Sequence, residues 1–84
     1  MYQVIDVMRG EKIDSEHDDF DDALEAAEEL ACEQAEDDDR VDSDTIGSFE
    51  TGDNPRTSPR GNWEAGAGPG GSDCAYWPHV EWAE

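Results

Sequence analysis

Apolar and polar residues alternate at the start of the chain, which predicts a β-strand over residues 2–8. Ile5 and Val7 lie on one side of this strand, and we expect that side to be buried. The residues that follow are typical of a hairpin turn centred on Gly10. Residues 12–15 are predicted to return as a short second strand.

The clearest periodic pattern predicts an amphipathic helix from Asp21 to Glu36. Its apolar face is formed by Phe20, Leu24, Ala27, Leu30, Ala31 and Gln34. Ala and Glu favour helix, and neither Gly nor Pro interrupts the segment. Asp18, Asp19 or Asp21 is expected to cap the N-terminus. Residues 37–39 are all acidic, and their charge opposes the helix dipole, so we expect the helix to end there.

The second half of the chain has weaker patterns. The pattern of residues 41–50 predicts another region of strand. Residues 51–75 hold six of the eight glycines and three of the four prolines, which predicts a long loop that is either functional or mobile. Residues 75–83 alternate again, but Pro78 restricts this segment to an edge strand or a bulge.

Together these elements predict one domain over residues 1–84 with the order β-β-α-β-β. The expected fold class is α+β: a small antiparallel sheet, one amphipathic helix packed on one face, and a long Gly- and Pro-rich loop. Only 35% of the residues are hydrophobic, and a domain this small buries only about 60% of its unfolded surface, so we expect a thin core. No segment at the start is long enough for a signal peptide or a membrane span, which predicts a cytoplasmic protein with free thiols at Cys32 and Cys74.

The charge of the chain adds most to what the hydrophobic pattern predicts. The formal net charge is −19, from 24 acidic and 5 basic side chains. Sixteen acidic residues and a single basic one, Arg40, lie between Asp14 and Asp44. This sign of charge excludes direct binding to nucleic acid or to anionic membranes, because phosphate contacts need Lys and Arg. The expected partner is a basic protein, bound by a monomer or a dimer of this chain.

A row of carboxylates on the polar side of the helix is the predicted partner-binding surface. Like charges three and four residues apart cost a few tenths of a kcal/mol per pair, so stability alone does not account for them. Four helical residues rise about 6 Å, a spacing comparable to successive phosphates of a nucleic-acid strand. Trp63 is included among the predicted partner-binding residues, because a side chain in a loop has little core in which to be buried. The predicted partner-binding residues are Asp21, Asp22, Glu25, Glu28, Glu29, Glu33, Glu36, Asp37, Asp38, Asp39, Asp42, Asp44 and Trp63.

Other chemistry has less support in the sequence. Residues 42–47 begin like a calcium loop with Gly47 at the sixth position, but Ile46 and Asp53 stand where Asp or Asn and Glu are usual. We therefore predict no dedicated metal site and no cofactor. Uniformly exposed carboxylates would not split their pKa values as paired catalytic acids do, so we predict no enzyme.

The aromatic residues near the end of the chain allow two interpretations. They either belong to the core and the faces of the sheet or form an exposed anchor for a partner, because Trp and Tyr dominate interface hot spots. The residues concerned are Tyr76, Trp77, Val80 and Trp82.

With these features the chain resembles the small acidic proteins that phages use as anti-CRISPR inhibitors and other DNA mimics. The resemblance covers the length, the β-β-α-β-β order and the acidic helix Asp21–Glu36 with its extension Asp37–Asp44; no diagnostic motif is matched. It implies an inhibitor that occupies the basic DNA-binding surface of a CRISPR effector complex of type I, in the cytoplasm of an infected bacterium. The alternatives are a halophilic or phage accessory protein whose acidity maintains solubility, and a weak calcium-binding module.

Overall fold

The computed structural model describes residues 1–37, 41–50, 63–70 and 77–83. The elements are β1 (Tyr2–Asp6), β2 (Lys12–His17), α1 (Phe20–Glu36), a 3-10 turn (Ser43–Thr45), β3 (Ile46–Glu50), β4 (Trp63–Pro69) and β5 (His79–Trp82). The strands form one five-stranded antiparallel sheet, and α1 packs against it. The predicted α+β class is confirmed, with one strand more than the sequence predicts.

The sheet has the strand order β2-β1-β5-β4-β3, so β5 is its central strand. The prediction that the last segment forms an edge strand or a bulge is therefore wrong. Pro78 lies just before β5, so its missing N–H removes no hydrogen bond from the sheet. Proline is tolerated at such a position. Its carbonyl oxygen instead accepts a hydrogen bond from the Ala67 backbone N–H at 3.2 Å.

Strand β4 lies within the segment predicted to be a loop. Residues 63–69 pair with β3 on one side and β5 on the other, so the loop prediction is wrong for this part of 51–75. The small side chains from Ala65 to Gly68 are all buried, which allows the neighbouring layers to approach closely. Residues 51–62 and 71–75 lie outside the described residues.

The hairpin between β1 and β2 turns at Gly10, as the sequence predicts. Gly10 has a φ of +89°, and its N–H donates to the Val7 carbonyl oxygen at 3.2 Å. The predicted buried side, Ile5 and Val7, needs correction. Ile5 is fully buried, as predicted, but Val7 is only half-buried in the turn. Val4 is also fully buried, and it belongs to the core formed with α1.

Helix α1 begins one residue before the predicted start and ends where predicted. Asp19 is the N-cap: its Oδ1 accepts from the Asp21 N–H at 3.3 Å, and its carbonyl oxygen accepts from the Ala23 N–H at 3.1 Å. Asp37 is the C-cap, and its N–H donates to the Glu33 carbonyl oxygen at 3.3 Å. The 17-residue length follows from an uninterrupted run of helix-favouring residues.

The main core lies between α1 and the sheet and is built mostly of small side chains. Its buried members are Val4, Ala23, Ala27, Leu30, Ala31, Ala35, Ala65, Ala67, Trp77 and Val80. Alanine has almost no side-chain entropy to lose on burial, and it lets the helix lie close to the strands. Trp77 and Val80 are therefore core residues, whereas Trp82 is 48% exposed.

A second buried cluster lies on the sheet face away from α1. Side chains alternate along a strand, so His79 faces away from the core that Val80 enters. The His79 ring stacks on Trp63 with 4.6 Å between the ring centroids. Phe49 meets the edge of Trp63 at 5.3 Å. A bulge between Trp63 and Ala65 shifts the register against β5, which turns the Trp63 ring to this face.

One buried polar contact joins β1 to α1. The Asp6 carboxylate is only 2% exposed. Its Oδ1 accepts from Gln34 Nε2 at 2.8 Å and from the Arg9 backbone N–H at 3.2 Å, and its Oδ2 lies 3.4 Å from Arg9 Nε. The contact holds the end of β1 against the C-terminal half of the helix, since a buried carboxylate needs such partners.

We expect Gly66→Ala to lower the free energy of unfolding by about 1–3 kcal/mol, the usual cost of an extra methyl group in a packed core. A Cβ atom here would lie 2.7 Å from Phe49 Cζ and 3.2 Å from the Pro78 carbonyl oxygen. Urea denaturation followed by tryptophan fluorescence measures the loss. In a Phe49→Leu background the same change should cost less, and equal costs would show that the ring is not the obstacle.

Candidate functional site

The predicted carboxylates of α1 project from the side of the helix that faces away from the sheet. Residues buried against the sheet recur at helical spacing along the other side, from Ala23 to Ala35. Six carboxylates are exposed and one, Glu28, is half-buried. The exposed six are Asp21, Asp22, Glu25, Glu29, Glu33 and Glu36. We call these seven side chains the acidic row.

The acidic row is not neutralised within the described part of the chain. The ion pair found between described residues joins Arg9 to Asp6, away from the row. None of the seven carboxylates forms an ion pair or a side-chain hydrogen bond with the described residues. Within these ranges, nothing offsets the repulsion between their charges along the helix.

Beyond the helix, the predicted site residues have local structural roles. Asp37 is exposed and caps α1. Asp42 caps the 3-10 turn: its Oδ1 accepts from the Asp44 N–H at 2.9 Å, and its carbonyl oxygen accepts from Thr45 Oγ1 at 2.6 Å. Asp44 is exposed. Asp38 and Asp39, which the sequence also assigns to the site, lie outside the described residues.

The segment 42–47, which begins like a calcium loop, is not folded as a calcium site. One oxygen of the Asp42 carboxylate is used to cap the turn. Among the described residues, no group of three or more His, Cys, Asp or Glu side chains is arranged to hold a metal ion. Asp53, at the last position of the loop pattern, lies outside the described ranges.

Trp63 is not the exposed contact residue that the sequence predicts. It is 7% exposed and packs between Phe49 and His79, because it belongs to a strand and not to a loop. Among the described aromatic residues, the exposed one is Trp82, which meets Tyr2 edge-on with 4.8 Å between the ring centroids. Tyr2 in turn contacts Phe20 at 5.3 Å, at the N-terminal end of α1.

An open groove runs between α1 and the edge strand β2, with a volume of about 280 Å³. It is lined by Asp14, Ser15, His17, Ala26, Glu29, Leu30 and Glu33. Glu29 and Glu33 thus belong to both the acidic row and the groove. The sequence pattern does not indicate the β2 residues of the groove, because only the register of the sheet brings them beside the helix.

The chain matches no family model, no curated protein and no solved structure. Within the described ranges, no helix is long and apolar enough to cross a membrane. The function is therefore inferred from the charge, the exposure and the shape of the acidic row and of the groove.

We expect Glu25→Lys to raise the free energy of unfolding by about 1 kcal/mol at low salt, because it replaces repulsion with attraction across the i±3 and i±4 neighbours of Glu25. Thermal unfolding followed by circular dichroism measures the gain. It should largely disappear at about 1 M NaCl, where the Debye length is about 3 Å. The matched control is Glu16→Lys, an exposed strand position with the same change of charge. An equal gain in both variants would mean that only net charge matters.

Proposed function

We propose that this protein is an acidic DNA-mimic inhibitor that binds the basic nucleic-acid-binding surface of another protein. The observation that carries the proposal is the acidic row, seven carboxylates, six of them exposed, on one helix without cationic partners in the described chain. No ion pair with another described residue has to be broken before a basic partner can bind. A preorganised surface of this kind keeps the cost of association low.

The charge pattern favours a partner that normally binds phosphates. Carboxylates one helical turn apart are separated by about 6 Å along the helix axis, and each carries one negative charge, as each backbone phosphate does. A groove that binds phosphates through Arg and Lys would meet charges of the same sign at a similar spacing. Binding would release counterions and would weaken as salt rises. The same charges would speed association through long-range attraction.

The partner that we propose to test first is a CRISPR effector complex of type I, the class implied by the resemblance described above. Occupation of its DNA-binding surface would block target DNA. The protein would then act by stoichiometric binding and not by catalysis, in the cytoplasm of an infected bacterium. The proposal needs no metal and no cofactor, because the carboxylates themselves make the contacts.

We expect the triple change of Glu25, Glu29 and Glu33 to Lys to weaken partner binding about 100-fold or more, because like charges placed against a basic surface cost several kcal/mol. A purified effector complex is first tested in a pull-down and then in competition with labelled target DNA. The control reverses Glu16, Glu50 and Glu64, which are exposed on strands, and changes the net charge by the same amount.

Three outcomes separate the possibilities. Loss of competition in the helix variant, with the control close to the unchanged protein, supports the proposal. Equal loss in both variants would show that total charge and not the acidic row is recognised. Full competition by the helix variant would disprove the proposal.

A second candidate function is supported by the spread of charge over the fold. Glu16, Glu50 and Glu64 are exposed on three different strands, so the acidity is not confined to α1. In a highly saline cytoplasm, an acidic surface keeps a protein soluble. The protein would then be an accessory protein of a halophilic organism or its virus, and the acidic row would have no partner.

Circular dichroism across a salt series tests this second candidate. A protein adapted to molar salt should be unfolded at about 0.01 M KCl, where the Debye length is about 30 Å and repulsion acts across the whole domain, and should refold when salt is restored. For a DNA mimic active in an ordinary bacterial cytoplasm, we expect a folded protein at about 0.15 M, where the Debye length is about 8 Å. Unfolding at that salt concentration would favour the halophilic candidate.

A further inference from the structure

The groove between α1 and β2 combines an apolar base with a charged rim. Ala26 and Leu30 supply the apolar base, and the rim carries three carboxylates, those of Asp14, Glu29 and Glu33. Its volume of about 280 Å³ is at or just below the lower limit of about 300 Å³ for small-molecule pockets. The groove thus has room for one long side chain and little more.

A bulge in β2 places the third carboxylate. Val4 pairs with Ser15 and Ile5 pairs with Ile13, so Asp14 is the extra residue in the ladder. Bulges redirect side chains, and here Asp14 lines the groove together with Ser15 and His17. Without the bulge, Asp14 would alternate to the sheet face away from α1. The sheet thereby adds a negative charge opposite the two that the helix supplies.

We propose that this groove binds an arginine side chain of the basic partner and so anchors the partner beside the acidic row. The inference rests on the proposed function and specifies where that partner is held. The methylene groups of arginine pack on Ala26 and Leu30, as long basic side chains do on apolar surfaces. The guanidinium group lies between the carboxylates from the helix and the carboxylate from the strand.

The chemistry of the rim selects arginine over other cations. A guanidinium is planar, has five N–H donors and is weakly hydrated, so it can bridge carboxylates on two walls at once. Lysine offers a compact, strongly hydrated charge that suits one wall. Among the described residues, none forms an ion pair or a side-chain hydrogen bond with these three carboxylates. Ser15 Oγ is bonded to His17 Nε2 at 2.8 Å, which fixes the strand wall.

The groove differs from the rest of the acidic row in one testable respect. Asp21, Glu25 and Glu36 are exposed on the same helix and do not line the groove. If charge alone attracts the partner, neutralising three carboxylates has the same effect in either place. If an arginine side chain enters the groove, the groove carboxylates matter more than their neighbours.

The test compares two triple variants of the full chain, each with three charges removed. The groove variant carries Asp14→Asn, Glu29→Gln and Glu33→Gln, and the matched control carries Asp21→Asn, Glu25→Gln and Glu36→Gln. A hexa-arginine peptide is titrated into each protein, and binding is measured by calorimetry. We expect about a tenfold rise in Kd for the groove variant and about a twofold rise for the control, because charge-assisted bidentate bonds are the strongest of their kind.

A third variant blocks the groove without changing its charge. Ala26→Leu adds three carbon atoms at a half-buried position of the groove, and leucine is a good helix former, so the fold should be kept. We expect it to weaken binding of hexa-arginine. Amide chemical shifts of Ser15, His17 and Leu30 should move on titration into the unchanged protein. Circular dichroism checks that every variant is folded.

Several results would overturn the inference. Equal losses in the two triple variants would show diffuse attraction, and unchanged binding by Ala26→Leu would show that the groove is not entered. Equal affinity for hexa-lysine, or displacement of the peptide by equimolar spermidine, would show that any cation suffices. These results do not depend on the effector complex. If the groove variant still competes with target DNA for the effector complex, the groove is not the anchor point but the proposed function stands. If the unchanged protein binds hexa-arginine but not the effector complex, only the proposed function is rejected.

Discussion

Alanine side chains of α1 rest directly on small residues of the sheet, and this apolar contact has to hold the fold against a net charge of −19. Each buried alanine contributes little apolar area, and burial contributes only about 25 cal/mol for each Å². An unpaired buried charge would cost more than such a core can readily offset. The buried Asp6 carboxylate accordingly bonds to Gln34 and Arg9, and the α1 carboxylates point to water. The apolar core thus takes up one side of α1, and the acidic side chains of the helix lie on the other side.

The same division of α1 explains why the groove lies where it does. The core fixes one side of the helix, and the acidic row occupies the other. Leu30 lies at the boundary between them and contributes to both the core and the groove. Edge strand β2 closes the groove from the other side. A basic partner would therefore find its most specific contact at this boundary, where apolar and charged groups meet.

The sequence was informative where a feature depends on neighbouring residues. The helix follows from its 3.6-residue period and its Asp cap, and the first hairpin follows from Gly10. Features that depend on distant pairing were missed. β4 lacks β-branched residues, and its alternation of Ala and Gly is typical of a loop, so the sequence predicts an exposed Trp63, whereas pairing of β4 in the sheet buries it. Neither the burial of Asp6 nor the bulge at Asp14 leaves a local signal, since both are created by the register of the sheet.

The central position of β5 has a consequence for how the chain reaches this fold. Tyr2 pairs with Trp82, so contact order is high and folding should be slow for a domain of this size. During synthesis, β1, β2 and α1 leave the ribosome long before residues 79–82 can join β1 to β4. The apolar face of α1 then has only an incomplete sheet to cover it. Mutual repulsion between the acidic nascent chains would oppose their association during this interval, so the charge that destabilises the finished helix would also protect the unfinished protein from aggregation.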